Sequence, residues 1–185
     1  MDAALQRAQS LVGTSAGRPS DDFYPTPPEC TIAILERETL SEKVWEPACG
    51  DGAISEVLKS LGHKVRSSDL YDHGYGKIGI DFLEWTKPWT HSIVTNPPFK
   101  LAEEFVEKSM ELGCDKLIMF SKLAFLEGQK RSRLLESTHL KYAYVFRKRV
   151  QLTRNGLPYK NGGMIPFAWY VWERGFMGEP IIRWI

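Results

Sequence analysis

At 185 residues the chain is one domain's worth of protein, and its 43% hydrophobic and 25% charged residues are ordinary for a globular enzyme. No apolar run approaches bilayer length and the first residues lack a signal peptide's apolar block, which argues against a membrane protein and for a cytoplasmic setting. The net charge of +1 hides an asymmetry: Lys122 to Lys160 carry ten basic residues against Glu127 and Glu136, a local +8 that leaves −7 elsewhere and can attract a polyanion.

Residues 1–20 are polar and weakly patterned and read as a loosely held arm, with a short helix at Ala3–Leu11. Asp22-Phe23-Tyr24-Pro25-Thr26-Pro27-Pro28 is a stiff, aromatic-bearing lead into a helix over Glu29–Leu40. Strand-like apolar runs follow at Val44–Glu46, Lys64–Ser68, Ile78–Ile80, Ile93–Thr95 and Leu117–Phe120. Helical patterns at Ala53–Leu61, Leu101–Leu112 and Phe125–Ser137 alternate with them, which predicts a parallel sheet covered on both faces. Tyr142–Phe146 and Phe167–Trp172 then predict an antiparallel pair at one sheet edge. Trp169 and Trp172, three apart, cannot share one face of a strand, so one of them is expected to be exposed or to meet a partner. The three cysteines and four histidines are scattered, so neither a disulfide framework nor a metal site is expected.

Two motifs carry chemistry. In Glu46-Pro47-Ala48-Cys49-Gly50-Asp51-Gly52 a strand runs into a glycine turn and then a helix, a geometry that lets a ligand lie close to the backbone. Asp69, seventeen residues after Gly52 at the end of the next strand, can accept hydrogen bonds from a ribose diol. Asp81 can accept from an adenine amino group, and the set together points to an adenosine-containing cofactor. The second motif is Asn96-Pro97-Pro98-Phe99 at the end of a strand. Prolines lack backbone donors, so the carbonyls here are free acceptors, and Asn96 adds a side-chain carbonyl. Converging acceptors suit a substrate –NH₂ group, and Phe99 offers a flat surface for a planar ring.

With these residues the chain resembles the amino-group DNA methyltransferases that carry an Asn-Pro-Pro-aromatic motif, in particular compact stand-alone or phage-type enzymes. The similarity spans roughly residues 23–172. It implies a Rossmann-like class I α/β fold: a seven-stranded, mostly parallel sheet with helices on both faces and an antiparallel last strand, in a single domain over 21–185. It also implies S-adenosylmethionine as cofactor. Tyr24, Thr26 and Pro27 resemble the family's motif over the cofactor's methionine part. Glu46, Pro47, Ala48, Gly50, Asp51 and Gly52 resemble its cofactor loop. Asp69 with Leu70, and Asp81 with Phe82, would hold the adenosine, and Asn96 borders both ligands.

The implied reaction is methyl transfer to an exocyclic amine, N6 of adenine in DNA. Asn96 and Pro97 would hold the amine, with Pro98 shaping the loop and Phe99 stacking on the base. Phe146, Phe125 or Tyr159 would supply a second ring wall, and Lys122, Arg147, Arg149 and Arg154 would contact the nucleic acid. The family's large target-recognition region has no room here. Only the basic loop Arg147–Lys160 and the helix near Gln129–Arg133 remain for that role, so low sequence specificity is expected. The same motif also serves amines of RNA bases, cytosine N4 and the amide of protein glutamine. A reading of another class is a non-catalytic cofactor-binding subunit. The sequence leaves monomer and homodimer open.

Overall fold

A computed structural model describes residues 23–154, 157, 158 and 165–185, with backbone only at 153, 154, 157 and 158. The arm at 1–20, its helix at Ala3–Leu11, and Tyr159 and Lys160 lie outside the described residues. Nine strands are assigned among them: β1 Lys43–Glu46, β2 Lys64–Ser67, β3 Ser92–Thr95, β4 Lys116–Lys122, β5 Leu140–Val145, β6 Thr153–Arg154, β7 Leu157–Pro158, β8 Phe167–Glu173 and β9 Ile181–Trp184. The helices are α1 Pro28–Leu35, α2 Ala53–Ser60, α3 Ala102–Glu111 and α4 Gln129–Ser137.

Seven strands form one sheet in the order β2-β1-β3-β4-β8-β5-β9, while β6 and β7 make a separate small hairpin. β8 is antiparallel to both its neighbours, and the other described pairs of the large sheet are parallel. This is the expected mostly parallel α/β sheet with an antiparallel strand inserted late in the chain.

The seven strands are composed differently from the sequence expectation. Ile78–Ile80 is not a strand: Gly76 and Gly79 take φ of 69° and 72°, and only a single bridge joins Ser68 to Lys77. Positive φ just before the run at Gly76 and again in its middle at Gly79 breaks the extended geometry that its apolar residues suggest. In its place Ile181–Trp184 pairs with β5, so the β5–β8 pair lies inside the sheet and not at its edge. Two helices are shorter than expected. α1 ends at Leu35, and the run Phe125–Ser137 is divided by Gly128 at φ 123° into a 3-10 turn and α4.

Side chains alternate across the sheet and so divide between two cores. Val44, Val94, Ile118, Phe120, Trp169 and Val171 pack with Cys30 and Ile34 of α1 and Ile54 and Leu58 of α2. Trp45, Ile93, Leu117, Met119, Tyr170 and Trp172 pack on the other face with Phe105 and Val106 of α3, and Leu134 and Leu135 of α4 lie against them. Trp169 and Trp172 do face opposite ways, yet both are fully buried, because helices cover both faces. Each indole N–H finds a partner, Trp169 on the Cys30 carbonyl (2.9 Å) and Trp172 on the Thr138 hydroxyl (3.1 Å).

The chain moves from β1 outward to β2, then returns past β1 to β3. That reversal leaves a crevice beyond the carboxyl ends of β1 and β3, where open parallel sheets hold ligands. Among the described residues no helix is long and apolar enough to cross a membrane.

Candidate active site

The loops after β1, β2 and β3 surround a cleft. β1 ends in Glu46, which is 1% exposed and accepts a hydrogen bond from the Ser55 hydroxyl in the first turn of α2. Burial pushes the Glu46 carboxyl well above the usual carboxylate range, against the opposing pull of that bond. The chain then turns at Gly50, where φ is 52° and a Cβ would fall 2.1 Å from the Phe23 ring, so only glycine fits. Pro47, Ala48 and Asp51 border the same cleft. Gly52 is not part of its lining. It caps α2, and its missing side chain makes room for the Tyr75 ring.

Gly50 N–H donates to Asp69 Oδ2 at 2.8 Å, and Tyr71 N–H donates to Asp69 Oδ1 at 2.9 Å. The acid after β2 therefore fastens the glycine loop after β1. Each of its oxygens keeps capacity for one further donor. Burial raises the Asp69 pKa, with the backbone hydrogen bonds opposing.

Asp81 is also divided between two tasks. Its Oδ1 accepts the Leu83 N–H at 2.9 Å, while its Oδ2 is buried and has no hydrogen-bond partner. Such an orphaned acceptor is costly in a protein interior unless a ligand satisfies it. Leu70 and Phe82 line the cleft beside these two acids. Phe82 is braced from behind by Trp45, 5.2 Å away between ring centroids.

The wall behind Phe82 contains a group the sequence did not disclose. The Arg66 guanidinium of β2 lies over three indoles, 5.3 Å from Trp45, 4.8 Å from Trp85 and 5.7 Å from Trp89. Sequence reasoning also missed His73, which lines the cleft and stacks on Phe23 at 4.2 Å.

At the end of β3, Asn96 Nδ2 donates to the Tyr24 carbonyl at 2.8 Å and to the Thr26 hydroxyl at 2.9 Å. The Tyr24 carbonyl can only accept, so the orientation of the amide is fixed. Both amide hydrogens are committed, which leaves Asn96 Oδ1 as the acceptor available to a substrate. Of the two proline carbonyls, that of Pro98 takes the Leu101 N–H at 2.8 Å, while no backbone donor among the described residues reaches that of Pro97. Pro27 serves as the N-cap residue of α1, and Thr26, 2% exposed, is held immediately before it.

Phe99 lies nearly parallel to the Tyr24 ring, with centroids 6.0 Å apart and an angle of 16°. The Lys122 ammonium sits 4.7 Å from the Phe99 centroid. Phe99 also touches Phe167 at 5.7 Å, and Phe167 borders a second hollow flanked by Arg147 and Arg149. The backbone of Arg154 lies in β6, and its side chain is outside the described set. Among the expected ring walls, Phe125 is a core residue packed on Tyr170 and Trp172, and Tyr24 is the ring that faces Phe99.

The sequence matches no family model and no curated protein. The fold does match solved structures. A protein from Pyrococcus horikoshii assigned as an RNA methyltransferase superposes with a TM-score of 0.62 at 15% identity, over 94% of this chain and 98% of that one. A TehB-like S-adenosylmethionine-dependent methyltransferase from Corynebacterium glutamicum gives 0.51 at 19% identity, over 92% and 96%. A modification subunit assigned to a type I restriction enzyme of Vibrio vulnificus gives 0.57 at 16% identity, over 92% of this chain and 48% of that one. At such identities the likeness bears on architecture alone. The architecture is the Rossmann-like class I methyltransferase fold.

Proposed function

We propose that this protein is an S-adenosylmethionine-dependent methyltransferase that modifies an exocyclic amine of a nucleic-acid base, N6 of adenine in DNA. The observation that carries the reading is the fixed Asn96 amide. With both N–H groups bound to Tyr24 and Thr26, its Oδ1 is left as an acceptor for a substrate, in the same four-residue loop as the Pro97 carbonyl and Phe99.

The cleft suits the cofactor. Asp69 retains acceptor capacity for a ribose diol, the orphaned Asp81 Oδ2 suits an adenine amino group, and the Gly50 turn leaves the backbone open to close approach. When bound, S-adenosylmethionine supplies an electrophilic methyl group, so the protein's task is alignment and exclusion of water. Asn96 Oδ1 and the Pro97 carbonyl would accept the two hydrogens of the amine. That holds the nitrogen lone pair toward the electrophile and favours the positive charge that develops on nitrogen as it attacks. Phe99 would support the base, and Lys122, Arg147 and Arg149 would meet the phosphates of DNA. A duplex base must first leave its stack, at a cost of about a few kcal/mol.

The test is digestion to nucleosides and mass spectrometry after incubation with S-adenosylmethionine and unmethylated DNA, with an RNA substrate and an Asn96→Ala variant in parallel. N6-methyladenine from DNA, lost in the variant, is the expected result. Marks on RNA alone would move the substrate. Normal turnover by Asn96→Ala would remove the assignment of the site.

A further inference from the structure

Phe99 lines neither of two cavities but touches one lining residue of each, Tyr24 and Phe167. On one side its ring runs nearly parallel to that of Tyr24, which lines the cleft, and on the other it meets Phe167, which lines a separate hollow. The floor of that hollow is apolar, made by the buried Phe167 and Val150 with half-buried Phe146 beside them. Its rim is cationic: Arg147, Lys148 and Arg149 follow one another along the chain, all exposed, and among the described residues none that borders the hollow is acidic.

The rings are continuous from one cavity to the other. Phe99 reaches Phe167 at 5.7 Å, Phe167 stacks on Phe120 at 5.1 Å and 15°, and Phe120 reaches Phe146 at 6.1 Å. The path is anchored by the sheet, since Phe120 lies in β4 and Phe167 opens β8, paired with it in register at Lys122. An apolar floor with a ring of cations suits one ligand chemistry well: a flat, uncharged heterocycle carried on an anionic backbone.

We propose that this hollow binds the nucleotide next to the target base, with its base lodged against Phe146 and Phe167 and its phosphates on Arg147, Lys148 and Arg149. The inference rests on the reading of the Asn96–Phe99 loop as the place of the target base. It adds a substrate preference to that reading. A target base at the Asn96–Phe99 loop and its neighbour in the hollow beyond Phe167 would be parted by protein rings and so both unstacked. A single strand loses only base stacking in offering them so, whereas a duplex must also open two adjacent pairs. Single-stranded or locally unpaired nucleic acid is therefore the preferred substrate.

The experiment is fluorescence anisotropy with a short fluorescein-labelled single strand carrying one adenine, the same strand in a duplex, and the same strand with abasic sites flanking the adenine. The single strand is expected to bind about tenfold or more tighter than the duplex, and the abasic strand to lose about tenfold relative to the intact one. Phe146→Ala is expected to weaken the intact strand by about the same factor and to make it indifferent to the abasic lesion. Arg147→Gln with Lys148→Gln, both at exposed positions, tests the rim without disturbing the core and should flatten the salt dependence of binding. Equal affinity for duplex and single strand overturns the proposal. So does an abasic strand that binds like the intact one, or a Phe146→Ala protein of unchanged thermal midpoint that keeps the full abasic effect. Binding is read without methyl transfer. Hollow-dependent affinity with no methylated base in the product analysis would thus retire the proposed reaction and keep the nucleotide site.

Discussion

The Asn96 side-chain amide donates to the hydroxyl of Thr26, seventy residues earlier in the chain, at 2.9 Å. The bond ties the Asn96–Phe99 loop after β3 to the proline-rich segment that enters α1, and with the Tyr24 carbonyl it decides which end of the amide is left unbound. An unfastened amide could turn and present a donor where an acceptor is needed.

Thr26→Val should therefore lower turnover while leaving the fold intact, since valine fills the same buried space without the hydroxyl. Loss of one neutral hydrogen bond is worth about 1 kcal/mol, or roughly fivefold in rate. Thr26→Ser keeps the acceptor and should stay close to the parent. Single-turnover methylation assays on the two variants separate the outcomes, and equal rates for valine and serine would dissociate Thr26 from the chemistry.

Asp81 offers a sharper test of the cofactor. In Asp81→Asn the amide oxygen can keep the Leu83 N–H, which places an N–H donor where the orphaned Oδ2 now stands. A donor facing an adenine amino group leaves both unsatisfied, at a cost of about 1–3 kcal/mol. Titration calorimetry with S-adenosylhomocysteine should show affinity reduced about tenfold or more. The ligand-free protein should be about as stable as the parent, because one unpartnered buried polar atom replaces another. Unchanged affinity would place the adenine elsewhere.

What the sequence disclosed was local, and what it concealed was made by packing. The glycine loop of Glu46–Gly52 and the Asn96–Phe99 motif are contiguous, and each announces its geometry through residues with restricted or released backbones. The strand expected at Ile78–Ile80 failed because Gly76 and Gly79 adopt left-handed φ, which apolar periodicity does not register. The expectation for Trp169 and Trp172 got their opposite orientation right but assumed one wet face. β8 is covered on both sides, so its pattern is a continuous apolar run. The cage around Arg66 and the Phe23–His73 stack join residues from separate segments, and no spacing rule connects them.

That cage yields a third prediction. Arg66 links Trp85 and Trp89, which follow Asp81 and Phe82 in the chain, to Trp45, and Trp85 itself meets Trp45 behind the Phe82 wall of the cleft. Arg66→Ala should cost about 1–2 kcal/mol of stability, from cation–π contacts worth about 0.5–1 kcal/mol each. It should also shift tryptophan emission to the red as Trp85 and Trp89 gain solvent, and weaken S-adenosylhomocysteine through the slackened Asp81–Leu83 segment. Arg66→Lys should recover part of the stability but not all, because a compact ammonium cannot lie flat over several rings. Emission identical to the parent in the alanine variant would mean that the indoles hold their places without it.

Glu46 makes stability depend on pH in a direction opposite to that of a salt-bridged carboxylate. Its burial raises the folded-state pKa well above the ordinary 4.5, so the folded protein keeps a proton that the unfolded chain has already released. The native state then binds more protons than the unfolded one, and unfolding free energy falls as pH rises from about 4.5 toward the raised value. Below that window the group contributes nothing to the slope, and above it the penalty is complete. Asp69, also raised by burial, contributes with the same sign. Glu46→Gln cannot titrate, yet its amide can still accept from the Ser55 hydroxyl. The variant should match the parent at about pH 5 and become progressively more stable than it toward about pH 8. Urea melts of the two proteins across that range check the prediction, and a stability difference that stays constant with pH would mean that Glu46 is ionised in the folded protein.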